Sequence, residues 1–193
     1  MSIDVRLYLV SGEVGHGRTL PDVVAAAVAG GVTVVQLRDK TGEPESVVET
    51  ARTLRGRMHG TGVPLLVNDD AQAAYGSGVA GVHVGPDDIH PRKARELLGP
   101  DAVIGWSVHD ADQLRDDAAV EACDYLAASP VWATATKPDT TAPLGLDGVA
   151  ALRRAIPSHV PLVAIGGIDE TNAASVIEAG ADGVAVVSAI CGV

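Results

Sequence analysis

Short apolar runs rich in β-branched residues recur along the chain, separated by stretches whose apolar positions follow a helical period. The runs at 5–10, 33–38, 64–68, 81–85, 103–108, 124–128, 162–166 and 183–188 read as strands. Ala-rich segments between them, such as 21–29, 44–59 and 170–179, read as helices. Strict alternation of strand and helix calls for right-handed crossovers and a parallel sheet. Eight strands at this spacing fit a (β/α)₈ TIM barrel better than an open sheet. At 193 residues, the length suits one such domain over 1–193.

A weak internal repeat supports the count. The passage from helix into strand recurs as Gly30-Gly31-Val32, Gly78-Val79-Ala80-Gly81-Val82, Ala122-Cys123-Asp124-Tyr125 and Gly180-Ala181-Asp182-Gly183-Val184. Glycine at a helix end adopts the left-handed conformation that closes the last turn, and the strand follows at once. These turns lie at the barrel end opposite the chemistry. After strand eight only a few residues remain before Val193, so the eighth helix is expected to be missing from this chain. Its absence would leave an apolar groove beside the first and last strands.

Composition narrows the class. With no Phe, the core must come from Val, Ala, Leu and Ile, which suits a parallel sheet covered by helices. The cysteines Cys123 and Cys191 form no Cys-x-x-Cys pair and sit in apolar segments, where buried free thiols are expected. No basic leader precedes an apolar run at the N-terminus, and no apolar stretch is long enough to span a bilayer. Together these predict a cytoplasmic protein with no membrane partner. A net charge of −11 argues against nucleic acid as a partner. The same charge opposes an anionic substrate, so any phosphate site needs local cations, backbone amides or a metal. The sequence is compatible with a homo-oligomer.

In such barrels the chemistry sits where strands end and loops begin. Strand two ends Gln36-Leu37-Arg38-Asp39-Lys40, and alternation puts Gln36, Arg38 and Lys40 on one side, suited to gripping a pyrophosphate. A solvated charged loop explains that fragment equally well. Strand three ends Asn68-Asp69-Asp70, and strand four Gly85-Pro86-Asp87-Asp88. Acidic groups on adjacent strand ends suit Mg²⁺, which takes one or two carboxylates plus water and substrate oxygens. Helix capping accounts for Asp70 and Asp87 but not for both pairs in full.

Ser107, near the end of strand five, can hydrogen-bond a substrate. His109 reads as a structural residue before a helix, and His83 as a side chain packed in the barrel layer. Strand six leads into Thr134-Ala135-Thr136-Lys137-Pro138-Asp139, a mix of hydroxyls, amides and a lysine suited to an anion, in a loop long enough to act as a lid. Gly166-Gly167 after strand seven, and Val187-Ser188 after strand eight, occupy the recurrent phosphate position of this fold.

These strand ends, in this order, resemble the thiamine-phosphate synthases. The motifs are Gln36-Leu37-Arg38-Asp39-Lys40, Asn68-Asp69, Gly81-Val82-His83-Val84-Gly85 with Asp88, Ser107-Val108-His109, Thr134 to Lys137, Ile165-Gly166-Gly167-Ile168 and Val187-Ser188-Ala189-Ile190. The resemblance implies a transferase joining 4-amino-2-methyl-5-(diphosphooxymethyl)pyrimidine to 4-methyl-5-(2-phosphooxyethyl)thiazole, giving thiamine phosphate and pyrophosphate. It implies that Gln36, Arg38, Lys40 and Asn68 hold the pyrimidine diphosphate, that Ser107 contacts the pyrimidine, and that Lys137 contacts the diphosphate. Thr134, Ala135, Thr136, Gly167, Val187 and Ser188 would hold the thiazole phosphate, and Asp69 and Asp88 would hold Mg²⁺. Arg38, Lys40, Ser107 and Lys137 would serve the chemistry directly. The chain departs from the family pattern at Pro86 and in Ala127-Ala128-Ser129-Pro130, which lacks the usual glycines.

Two alternatives differ in what they require. A thiazole tautomerase on the same barrel relies on a histidine after strand six, where this chain has Ser129-Pro130-Val131-Trp132. A non-catalytic phosphate-binding protein of the thiamine pathway has no need of the metal carboxylates.

Overall fold

The computed structural model describes residues 3–15, 17–40, 42–134 and 142–192. Its strands are β1 (Leu7–Val10), β2 (Val34–Leu37), β3 (Leu65–Asn68), β4 (Gly81–Val84), β5 (Val103–Val108), β6 (Tyr125–Ala128), β7 (Leu162–Ile165) and β8 (Gly183–Val186). All pair in parallel and in sequence order, and β1 against β8 closes the barrel, with Leu7 opposite Val184 and Leu9 opposite Val186. The helices are α1 (Leu20–Ala29), α2 (Pro44–Arg57), α3 (Ala71–Ser77), α4 (Pro91–Leu98), α5 (Asp117–Ala122), α6 (Gly145–Ala155), α7 (Ala173–Glu178) and α8 (Ser188–Cys191). The expected (β/α)₈ barrel is therefore the observed fold.

The eighth helix is present, which corrects the expectation that it is missing. Ser188–Cys191 forms a single turn that buries Cys191, and the loop after β1 covers it. In that loop the Gly15 amide and the Arg18 guanidinium both donate to the Cys191 carbonyl at 3.4 Å. One turn therefore occupies the place where an open groove was expected. Cys123 differs from its expectation in degree: it is partly buried, its thiol donates to the Ala119 carbonyl at 3.1 Å, and burial pushes its pKa up to about 12.

Helix α7 starts later than the periodicity predicts. The Asp169 carboxylate accepts from the Thr171 amide at 2.8 Å and hydroxyl at 2.6 Å, while the Asn172 side chain accepts from the Asp169 amide at 3.0 Å. These local bonds compete with the helix and hold 169–172 as a turn.

Alternation along each strand sorts the core into two shells. Outward residues such as Val35, Leu37, Val67 and Leu126 pack against the helices. Each fully buried Val or Leu contributes about 1.5–3 kcal/mol. Inward residues, among them Tyr8, Val34, Leu66 and Tyr125, fill the barrel itself.

The end of the barrel where strands begin is held by a repeated corner. Arg95 of α4 reaches Asp124 at 2.7 Å and the Ala122 carbonyl at 3.0 Å, and Asp124 also accepts from the Ile104 amide at 2.8 Å. Two βα units later, Arg153 of α6 reaches Asp182 at 3.1 Å and the Val160 carbonyl at 3.0 Å, and Asp182 accepts from the Leu162 amide at 2.8 Å. Both pairs are 29 residues apart, so the repeat seen in the turns has a mechanical basis. Each aspartate bridges a helix to the start of a strand and satisfies an amide there.

Candidate active site

The mouth lies at the C-terminal ends of the strands and has an acidic side, a cavity and a polar floor. On the acidic side, the Lys40 ammonium pairs with the Asp69 carboxylate, and Asp69 is hydrogen-bonded to Asp88. Asp69 sits at φ 64, the one non-glycine residue with positive φ among those described. Its amide donates to the His83 carbonyl at 2.8 Å, which holds this uncommon conformation in place. The neighbouring Asp70 instead caps α3, accepting from the Ala73 amide at 2.8 Å. The two acids of Asn68-Asp69-Asp70 are thus divided between site and scaffold.

Two carboxylates this close cannot both ionise freely. Burial and the hydrogen bond to Asp69 raise the Asp88 pKa above the ordinary carboxylate value. Burial acts the same way on Asp69, but hydrogen bonds from Lys40 and Asp88 outweigh it and lower its pKa. The Gly85 amide donates to one Asp88 oxygen at 2.7 Å and fixes that side chain. A hard cation would relieve the crowding, and Mg²⁺ takes one or two carboxylates from a protein when water and phosphate oxygens complete its shell. Among the described residues, no group of three His, Cys, Asp or Glu side chains offers a fuller metal cage.

The cavity, of about 370 Å³, opens at the same end of the barrel, over the ends of β7 and β8. Arg38, Thr134, Gly167, Val187 and Ser188 line it together, so the structure gathers these predicted site residues around one space. Gly166 has φ 114 and Gly167 φ 66, values that L side chains rarely adopt. A side chain at 166 would meet Pro130 Cβ at 2.8 Å, and one at 167 would meet Trp132 Cβ at 3.0 Å. These glycines let the strand-six loop lie directly over β7, where Val131 and Trp132 donate to the carbonyls of Ile165 and Gly166 at 2.9 and 3.1 Å. The far end of that loop returns to the same place, with the amides of Leu144 and Gly145 donating to Pro130 and Val131 at 2.9 Å. Ser129 and Pro130 themselves line the cavity, so the chain approaches closely without the usual glycines at 127–130. The predicted residues Ala135, Thr136 and Lys137 lie outside the described residues.

The floor is a run of hydrogen bonds across the barrel interior. Gln36 Nε2 donates to Asn68 Oδ1 at 2.6 Å, and Tyr8 donates to Gln36 Oε1 at 2.7 Å. The Tyr8 and Tyr125 hydroxyls meet at 2.8 Å. His83 Nδ1 lies 2.9 Å from the Tyr125 hydroxyl, and His83 Nε2 lies 2.9 Å from Ser107 Oγ. Burial pushes the ionisation of both phenols far above the ordinary value, so each keeps its proton. His83 occupies the barrel layer where its strand position puts it.

Gln36, Asn68 and Ser107 are thus brought together through side chains that motif reading passed over. Tyr8 and Tyr125 stood in the sequence as inward strand positions carrying a polar tip, a detectable signal. Ser11, just past β1, left no such signal. It clamps the Arg38 backbone from both sides, accepting from its amide at 2.8 Å and donating to its carbonyl at 3.2 Å. His109 is engaged structurally, its ring against the Ser129 carbonyl and its amide donating to Gln113 at 2.6 Å.

Comparisons with known proteins bear on the family and the fold. A family model described as thiamine monophosphate synthase matches residues 7–190. A thiamine-phosphate synthase of Albidiferax ferrireducens is 48% identical over 188 residues, covering 97% of this chain and 84% of that protein. One from Chloroflexus aurantiacus is 44% identical, covering 97% and 86%. The solved thiamine phosphate pyrophosphorylase of Pyrococcus furiosus superposes with a TM-score of 0.85 at 30% identity, covering 100% of this chain and 90% of that one. No helix among the described residues is long and apolar enough to cross a membrane. From a family match over residues 7–190, a matched barrel and relatives aligned over nearly its whole length, this chain belongs to the thiamine monophosphate synthase family.

Proposed function

We propose that this chain is a transferase that joins 4-amino-2-methyl-5-(diphosphooxymethyl)pyrimidine to 4-methyl-5-(2-phosphooxyethyl)thiazole, giving thiamine phosphate and pyrophosphate. The supporting observation is the meeting of Lys40, Asp69 and Asp88 on one side of a mouth whose cavity wall carries Arg38 and the Gly166-Gly167 turn. A protein of net charge −11 gathers cations and close backbone there, which two phosphorylated substrates require.

The bond to be made runs from the thiazole nitrogen to the methylene carbon of the pyrimidine. The bond to be broken joins that carbon to the diphosphate oxygen, which leaves with the electron pair. The nitrogen carries its own lone pair, so no general base is needed. The protein's task is to bind, orient and neutralise. Arg38, Lys40 and Lys137 meet the diphosphate, and Gln36, Asn68 and Ser107 orient the pyrimidine above the barrel floor. Thr134, Ala135, Thr136, Gly167, Val187 and Ser188 hold the thiazole phosphate, placing its ring nitrogen toward the carbon. Asp69 and Asp88 would hold Mg²⁺, which when bound offsets the charge developing on the leaving group. Lys40, anchored on Asp69, stays beside the same oxygens.

The test supplies both substrates with Mg²⁺ and follows pyrophosphate. Release that needs the thiazole phosphate is the expected result. Conversion of a thiazole isomer alone, or binding of both ligands without turnover, would overturn the reading.

A further inference from the structure

We propose that the buried chain Gln36–Tyr8–Tyr125–His83 is a directional relay that makes Ser107 a hydrogen-bond acceptor and Asn68 a donor toward the mouth, so that the site takes a 4-aminopyrimidine and rejects its 4-oxo analogue. This inference rests on the reaction proposed above and deepens it by assigning the origin of substrate discrimination to residues below the pocket.

The direction follows from counting protons. The Gln36 amide turns its nitrogen to Asn68 and its oxygen to Tyr8, and so receives the Tyr8 proton. Tyr8 has one proton and has spent it, so across the 2.8 Å contact its oxygen accepts from Tyr125. Tyr125 has then spent its own proton, and at 2.9 Å it accepts from His83 Nδ1–H. If the imidazole is neutral with its one proton on Nδ1, Nε2 is an acceptor, and Ser107 lies 2.9 Å away to donate to it. Ser107 is left with only lone pairs for the mouth, and Asn68, its oxygen turned to Gln36, is left with its amide protons.

Burial makes this direction binding on every member. Tyr8, Gln36, His83, Tyr125 and Ser107 are all buried, and no buried side-chain nitrogen or oxygen among the described residues lacks a partner. Reversing one link would set two protons or two lone pairs against each other in a dry interior, so all links turn together or none does. The backbone is adapted to the relay. Gly105 lies opposite both His83 and Tyr125, and its missing side chain leaves the space that the Tyr125 phenol occupies on its way to His83.

A 4-aminopyrimidine offers N–H at its amino group and lone pairs at its ring nitrogens, which suit an acceptor at Ser107 and a donor at Asn68. The 4-oxo analogue offers a carbonyl beside a ring N–H, the opposite order. Sites built around buried polar groups reject such reversals strongly, because the groups cannot find partners elsewhere. Tyr8, Tyr125 and His83 are therefore positioning residues that act through Ser107 and Asn68.

The test reads the His83 tautomer by ¹⁵N NMR and the ratio of kcat/KM for the amino and oxo pyrimidine diphosphates. The expected wild-type result is Nδ1 protonated and Nε2 bare, with the amino substrate preferred at least about hundredfold. In Tyr125→Phe the Nδ1 proton loses its acceptor. The proton should move to Nε2, Ser107 should turn, and the amino preference should fall at least about tenfold, with KM for the thiazole phosphate unchanged. Tyr8→Phe should do the same by freeing the Tyr125 proton to face His83, and it serves if Tyr125→Phe fails to fold. An Nε2–H tautomer in the wild type, or an unchanged amino preference in a folded variant, would overturn the relay while leaving the reaction standing. No pyrophosphate release by the wild type would instead overturn the reaction, and the substrate part of this inference with it.

Discussion

The phenol of Tyr125 occupies the volume that a side chain on Gly105 would need, and in that position it bridges Tyr8 and His83. Gly105→Ala would force the ring aside or bend β5. We expect a loss of about 1–3 kcal/mol, the usual range for overpacking a filled core. Chemical denaturation measures it, and an unchanged midpoint would mean the barrel interior has slack that its packing does not suggest.

The Asp69–Asp88 pair predicts a pH dependence of metal binding. With Asp88 raised above the ordinary 3.8, the stability it contributes is present below that value and lost as pH rises through its own, higher pKa. A cation held by both carboxylates needs them ionised, so Mg²⁺ bound there would restore what their repulsion removes, and only above that pKa. Calorimetric titration should therefore show Mg²⁺ affinity, in the presence of pyrophosphate, rising through the same interval. Asp69→Ala should abolish the dependence and cut pyrophosphate release by about 10²–10³, with the circular dichroism spectrum retained. Wild-type turnover in that variant would remove these residues from the metal assignment.

Gly167→Ala places a methyl against Trp132 in a conformation alanine rarely adopts. The strand-six loop should lift from β7 and widen the cavity at the phosphate end. Steady-state kinetics should show KM for the thiazole phosphate raised about tenfold or more, with KM for the pyrimidine diphosphate little changed. Equal effects on both substrates would count against the division of the mouth proposed here.

At the opposite end of the barrel, Asp124→Ala would leave Arg95 and the Ile104 amide without their common acceptor. The expected cost is about 1–3 kcal/mol, read as a lower thermal midpoint. Activity at room temperature should stay at the wild-type level, because this corner lies away from the mouth. A variant that lost activity but not stability would contradict that separation.

The barrel was legible because its signals are local and repeated: apolar runs at strand spacing, helices between them, and glycine turns at fixed places. Arg38, Lys40, Asp69 and Asp88 were legible for a related reason, since strand ends face one mouth. The polar floor was harder to read. Tyr8 and Gln36 lie 28 residues apart and Tyr8 and Tyr125 lie 117 apart, so their bonds depend on barrel closure and on the gap at Gly105, which no local pattern encodes. The final helix leaves no periodic signal, because its four residues, Ser188–Cys191, make a single turn. The late start of α7 is not readable from apolar spacing, because it comes from Asp169 accepting from Thr171 and Asn172 accepting from the Asp169 amide.

The twin Arg–Asp corners also bear on how such a scaffold can change over generations. Because they fasten the base of the cylinder with few residues at a fixed spacing, loops at the other rim are free to drift in length and character. A lineage could acquire new ligand preferences there while inheriting its architecture intact, and damage to either corner would be felt as lost abundance rather than altered chemistry.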